Sequence, residues 1–324
     1  MKQEEEIIPL EFGKFKTKRK VSDKYLGQVL HEDGLAASVL ATIKDRTGKI
    51  KGAIYLAKQI IETYQMQAVG GMMAAKYLWE GAMVPSLLSG AGTWVGCTAE
   101  AEAQCEELQA LYWRTMFRIG KGGPKVMLTA ETQSLKMKQR IWKMKLMLAR
   151  SLMQKDGSLA GSIYKEQLRM GWPGLAREVE EICQKIGLEN INEKEATKAE
   201  ICDAIEMHDY KEMKEEMDGK EKLEDIRHGN FRKPQEYMEE KSIETARMAY
   251  RVRSKMVEKI KMNFKNSYKP QLQCDFCRSG GEESREHAMI CEAWEEERRG
   301  LDLYRMSDVV KFLTKILKEK GKRS

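Results

Sequence analysis

Ile50-Lys51-Gly52-Ala53-Ile54-Tyr55-Leu56-Ala57-Lys58-Gln59-Ile60-Ile61-Glu62-Thr63-Tyr64 is the stretch that decides the fold class. Ile50, Ala53, Ile54, Ala57, Ile61 and Tyr64 recur at steps of three and four, which lines them along one face of a helix; a half-buried strand would need them at every second position. The same step extends outward. Upstream, Leu35 to Thr47 reads as a short amphipathic helix closed by Gly48. Downstream, a helix is expected from about Met72 to Met83, stopping near Pro85, because proline has no N–H for the next helical hydrogen bond. Leu108, Leu111, Tyr112, Thr115, Met116 and Ile119 repeat the pattern before the breaker run Gly120 to Pro124.

Beyond that run, Leu135 to Met153 carries apolar residues on more than one face, as the central helix of a further unit would. Helices are also expected around Leu175 to Ile186, Lys194 to Met207, Ser242 to Met262 and Ser307 to Lys318. Only the opening residues read otherwise. Ile7-Ile8-Pro9-Leu10, Phe12, Phe15 and Lys24 to Leu30, ending at Asp33-Gly34, are short β-prone runs split by turn residues and predict a hairpin or two. The predicted fold is mainly α: helical bundle units with a short N-terminal β-hairpin remnant and, from the spacing of Cys274, Cys277, His287 and Cys291, a small C-terminal zinc knuckle. In sequence order the divisions fall at 1–34, 35–120, 121–262, 263–300 and 301–324.

Composition sets the classes available. Of 324 residues, 42% are hydrophobic and 33% charged, enough apolar residues to fill cores and enough charge to cover them. No apolar run approaches the roughly 20 residues of a membrane span, and the charged start lacks a signal-peptide core. The expected location is therefore nucleus or cytoplasm, with no secretion and no membrane partner. The net charge is +7. It is unevenly spread: Leu111 to Met170 holds 13 Lys and Arg against 3 Asp and Glu, whereas Glu178 to Glu240 is rich in acid. Such segregation suits a surface facing a polyanion.

Near the C-terminus, Cys274-Asp275-Phe276-Cys277 is followed by His287 and Cys291. A two-residue gap lets both thiolates of one turn reach a single ion, and a His and Cys four apart lie one helical turn from each other. Gly280-Gly281 supplies a reversal between the halves. Four protein ligands close a tetrahedral zinc, leaving no position for water, so the predicted Zn2+ site of Cys274, Cys277, His287 and Cys291 is structural. Phe276 and Trp294 are expected to pack beside it. The alternative is a chance gathering of buried thiols. The remaining cysteines, Cys97, Cys105, Cys183 and Cys202, have no regular spacing, and an odd total of seven without a signal peptide suits reduced thiols.

Ahead of the knuckle, Arg247, Arg251, Lys255 and Lys259 recur every fourth residue, beside an apolar face of Ile243, Ala246, Tyr250, Val257 and Ile260. This places a ladder of cations next to a packing face, continued by Phe264 and Lys265; rings interleaved with cations stack on bases while the charges hold phosphates. The same charge pattern also describes a solvated helix face. A second basic candidate is Lys136, Lys138, Arg140, Lys143, Lys145 and Arg150, with Lys143 and Lys145 as its proposed contacts. Lys14, Lys16, Lys18, Arg19 and Lys20 read either as a nuclear-import signal or as the wet face of an edge hairpin. His31, His208 and His228 are scattered, without a nucleophile pattern.

In order along the chain, these pieces resemble the tail half of a non-LTR retrotransposon (LINE-type) reverse transcriptase. Lys24-Tyr25-Leu26-Gly27 looks like the strand that ends the polymerase palm, and Gly81-Ala82-Met83-Val84-Pro85-Ser86-Leu87-Leu88-Ser89-Gly90 to Trp94 looks like the thumb segment, with Ser89 where tyrosine is usual. Ala246-Arg247 through Arg251, Arg253 and Asn263-Phe264-Lys265 is similar to the basic segment before that family's Cys-Cys-His-Cys knuckle. The resemblance implies template-primer binding by the thumb and RNA or DNA contact by the basic segment and knuckle. It does not imply catalysis: the family's polymerase needs a tandem Asp-Asp to hold magnesium, and this chain has none. About 30 residues follow Cys291, too few for a nuclease domain. The expected function is nucleic-acid binding without a polymerase site. The alternatives are a host-adapted protein-interaction module with a structural zinc, or an incomplete reading frame of an RNA-directed DNA polymerase.

Overall fold

The periodic run from Ile50 continues a helix that has already begun. In a computed structural model of the chain, α1 runs unbroken over Leu35–Tyr64, 30 residues. Gly48 does not close it as expected: a glycine ends a helix by turning to left-handed φ, and Gly48 keeps negative, helical φ, costing only helix propensity. The structure describes residues 11–12, 15–16, 21–64, 71–120, 124–155, 157–189, 191, 196–218, 220, 235–240, 242–254, 274, 276–277, 285–301 and 306–323.

Two antiparallel hairpins precede α1: β1 (Glu11–Phe12) with β2 (Phe15–Lys16), and β3 (Ser22–Tyr25) with β4 (Gln28–His31). After α1 come α2 (Gly71–Leu78), α3 (Val84–Leu88), α4 (Ala99–Phe117), α5 (Lys125–Thr132), α6 (Met137–Gln154), α7 (Leu159–Met170), α8 (Leu175–Ile186), α9 (Lys198–Asp218), α10 (Ile243–Arg253), α11 (Arg285–Ile290), α12 (Glu295–Arg298) and α13 (Met306–Arg323). The chain is therefore mainly helical, with N-terminal hairpins and a C-terminal Cys/His cluster. Among the described residues, no helix is long and apolar enough to cross a membrane.

These elements form two compact units, each drawn from three separate stretches. The first takes Met1–Lys51, Pro85–Leu108 and Met137–Ile205; the second takes Gly52–Val84, Gln109–Lys136 and Glu206–Ser324. The breaker run 120–124 falls within the Gln109–Lys136 stretch of the second unit. Gly and Pro mark where the local backbone turns, whereas unit membership follows long-range packing.

In the first unit, the β3–β4 turn is Leu26-Gly27, both left-handed (φ 46° and 79°), as a two-residue hairpin turn requires. The outward edge of β4 is satisfied by α1: the Val29 N–H donates to Thr42 Oγ1 and the His31 N–H to Ser38 Oγ, both at 2.8 Å. Buried Arg46 donates to the carbonyls of Leu87 and Ser89 (2.8 Å each) and Gly27 (2.9 Å). A 3-10 turn at Ala91–Thr93 packs on α6 so closely that a Cβ on Gly92 would lie 3.0 Å from the Met144 carbonyl oxygen. Thr197 and Glu200 start α9 with reciprocal bonds, Thr197 N–H to Glu200 Oε2 (2.7 Å) and Glu200 N–H to Thr197 Oγ1 (3.2 Å). The core of this unit includes the fully buried Ile43, Leu87, Trp94, Cys105, Ile141, Leu146 and Val179.

The second unit is built on an aromatic column. Trp79 stacks on Tyr112 (ring centroids 4.8 Å), Tyr112 meets Trp113 edge-on (5.1 Å), Trp113 leads to Phe117 (6.0 Å), and Phe117 stacks on Tyr250 (4.1 Å). Trp79 opens a π-helical turn, Trp79–Met83, in which the Val84 N–H donates to the Trp79 carbonyl. The helix expected to stop near Pro85 instead passes through this wider turn into α3, with Pro85 directly after the π-helical turn.

Candidate metal centre

Cys274 and Cys277 stand on either side of a bend at Phe276, His287 is on α11, and Cys291 follows its last residue. One ligand atom from each of the four lies within 4.8 Å of every other. Cys274 Sγ and Cys291 Sγ are 3.9 Å apart, and Cys277 Sγ and His287 Nε2 are 3.2 Å apart. A tetrahedral zinc with Zn–S of about 2.3 Å and Zn–N of about 2.0 Å has edges of roughly 3.8 Å (S to S) and 3.5 Å (S to N), so the four side chains fit one ion with small adjustment.

Two of the four candidate ligands are shielded from water. Cys274 and Cys291 are 8% and 2% exposed. Burial, reinforced by the neighbouring thiols of Cys277 and Cys274, pushes the Cys291 thiol up to about 12, partly opposed by the Ala293 backbone N–H. A dication among these groups would reverse that balance by favouring the thiolates. Phe276, between the first two cysteines, packs against Trp294 with ring centroids 4.8 Å apart, joining the two halves of the cluster. Four protein ligands leave no open coordination position, so the centre has the donor set of a structural site. Gly280-Gly281 lies outside the described residues.

The expected nucleic-acid contacts fare differently. Arg247 does not face solvent. Its side chain is 1% exposed, with Nε on the Met116 carbonyl (2.6 Å), Nη2 on Glu62 Oε1 (2.6 Å) and Nη1 on Glu244 Oε1 (2.5 Å). Arg251 donates from Nη2 to the Arg118 carbonyl at 2.9 Å, and burial lowers its pKa. Lys145 is 5% exposed and ion-paired with Glu178 at 2.7 Å. The ladder reading is corrected for Arg247 and the surface reading for Lys145. The four-residue step does put Arg247 and Arg251 on one stripe of α10, but that stripe meets α1 and the end of α4, whose acceptors are remote in sequence. Lys143 is half-buried on α6. Lys255, Lys259, Phe264 and Lys265 lie outside the described residues, as do the import candidates Lys14, Lys18, Arg19 and Lys20. His31 serves its own turn, its Nδ1 accepting the Asp33 N–H at 3.2 Å.

Several polar groups carry no sequence signal. Glu131 on α5, wholly buried, takes two hydrogen bonds from Arg253 (2.8 and 2.9 Å), 122 residues away. Burial beside this carboxylate raises the pKa of Tyr237 and of Tyr250. Burial likewise pushes the thiols of Cys97 and Cys105 up to about 11 and about 12, which leaves them poor nucleophiles. In the first unit, a cleft of 470 Å3 between α7 and α8 is lined by Gln167, Trp172, Arg177, Glu180 and Gln184. No protein-family model matches the chain, and no curated protein or solved structure matches it either.

Proposed function

We propose that the chain is a nucleic-acid-binding protein whose C-terminal knuckle is held by one structural zinc ion, with no polymerase chemistry of its own. The observation that carries this reading is the gathering of Cys274, Cys277, His287 and Cys291 around one point. The basic excess over 111–170, the cations and ring of Lys255, Lys259, Phe264 and Lys265 just ahead of the knuckle, and the resemblance to the tail of non-LTR reverse transcriptases support it. Arg247 and Arg251 now belong to the fold, so phosphate contact rests on the residues after α10. Each neutralised phosphate releases condensed counterion, roughly 0.7 of log–log salt slope on single strands.

The test is RNA filter binding at several salt concentrations on protein shown by metal analysis to hold about one zinc. A Lys255→Gln/Lys259→Gln variant should bind unrelated RNAs more weakly to a similar degree and flatten the slope by about one to two units. Unchanged affinity and slope overturn nucleic-acid binding by this segment, and absence of zinc from the wild-type protein overturns the metal centre.

A second reading, a protein-interaction module, is favoured by one feature of α7. Leu159, Ile163 and Met170 fall on one helical face and are 78%, 53% and 45% exposed, with Trp172 just beyond at 52%. Zinc-loaded protein without salt-dependent RNA binding would put this reading ahead.

A further inference from the structure

Arg298, on α12, points its guanidinium back at the metal-binding turn. Its Nη1 donates to the Cys291 carbonyl at 2.6 Å and to the Ala288 carbonyl at 3.3 Å. Both acceptors matter to the ligands. Ala288 is one residue beyond His287 on α11, so this bond caps a carbonyl in the last turn of the helix that carries the imidazole. The Cys291 carbonyl also accepts the Trp294 N–H at 3.1 Å, so the 3-10 turn at Glu292–Trp294 and the arginine together hold the backbone of the fourth ligand. One side chain therefore spans the His287 and Cys291 half of the site.

We infer that Arg298 is a positioning residue for the metal centre, a clamp that presets His287 and Cys291 for a tetrahedral ion. The inference rests on the zinc reading above. Two effects act in the same direction. The clamp fixes the separation of two ligands before binding, which reduces the ordering that binding must supply. Three thiolates around a dication also leave the centre anionic, and a guanidinium bonded to a ligand's own carbonyl offsets that charge at short range. Neighbouring charges are already engaged elsewhere: Glu297 pairs with Lys315 and Glu295 with Arg299, each at 3.7 Å.

Outer-shell groups of this kind typically contribute about 10- to 100-fold to metal affinity. In competition with a colorimetric chelator, Arg298→Ala in the full chain should hold zinc about 10- to 100-fold more weakly than wild type, and Arg298→Lys should recover part of the loss by keeping a cationic donor. Arg299→Ala is the control: it removes one positive charge at the adjacent position without touching either carbonyl, and should stay within about twofold of wild type. If Arg298→Ala fails to fold, the Arg298→Lys and Arg299→Ala pair decides, because the clamp requires the lysine variant to be the weaker binder. Wild-type affinity in Arg298→Ala overturns the clamp, and so does equal weakening by both substitutions to alanine. Wild-type protein that binds no zinc overturns the metal centre itself, a separate result.

Discussion

At the scale of single residues, the ligands and the cations had opposite fates. Cys274, Cys277, His287 and Cys291 were legible because metal-ligand spacing is a local property, set by one turn and one helical step. Arg247 was misread because its role depends on Glu62, 185 residues away. Glu131 and Arg253 carry the same lesson further, a buried pair with no mark in the sequence. Removing one partner of such a pair strands the other's charge in a low-dielectric interior, which is more costly than removing both. Arg253→Met should lower stability by roughly 3–5 kcal/mol in urea unfolding, and the double variant Glu131→Leu/Arg253→Met by less than Arg253→Met alone. A double variant less stable than the single one would mean that Glu131 contributes mainly through contacts other than the pair.

At the scale of elements, α10 shows what secures a helix in this fold. Ser242 caps its start, accepting the Thr245 N–H at 3.3 Å, and one of its faces is tied to α1 through Glu62. Burial raises the pKa of that carboxyl, but the hydrogen bonds from Arg118 and Arg247 outweigh burial, so the net value lies below the ordinary 4.5. A carboxylate with a lowered folded pKa contributes its full stability above the unfolded value and loses it as pH falls through the folded one. Wild-type stability should therefore fall as the pH drops below about 4.5, and Glu62→Gln should be less stable at pH 7 while showing a flatter acid limb. Urea unfolding at pH 7, 5 and 3 checks this, and parallel acid limbs for the two proteins would remove Glu62 as the source. Element boundaries were legible where periodicity and stop signals agreed, as in α8, expected and found over Leu175–Ile186. They were misplaced at Gly48 and Pro85, where packing carried a helix through a residue that often ends one. The short α5 and the mostly exposed α7 were not anticipated, since an apolar stripe too brief or too exposed has little period to read.

At the scale of the whole molecule, the knuckle and the helical units draw on different sources of stability. The described part of the knuckle contributes α11 and α12, of 6 and 4 residues, and the 3-10 turn Glu292–Trp294, whereas α1 alone has 30. On the zinc reading proposed above, so small a segment would draw on its metal, worth on the order of 10–16 kcal/mol in small zinc fingers, while the aromatic column and the buried ion pairs would not. Chelating the zinc should leave most of the far-UV helical signal and abolish amide-exchange protection around 285–298, with α1, α4 and α10 still protected. Cooperative loss of helix throughout would show instead that the knuckle is integral to the second unit. The sequence by itself determined the helical class, the N-terminal hairpins and the membership of the Cys/His cluster, because each is written in steps of two to four residues or in a short motif. Only the tertiary structure decided which cations are core and which helices pass their glycine or proline. It also decided that three separated stretches make each unit, because burial and charge pairing depend on residues far apart in the chain, 33 positions for Lys145 and Glu178 and 185 for Arg247 and Glu62, and no local pattern encodes such distances.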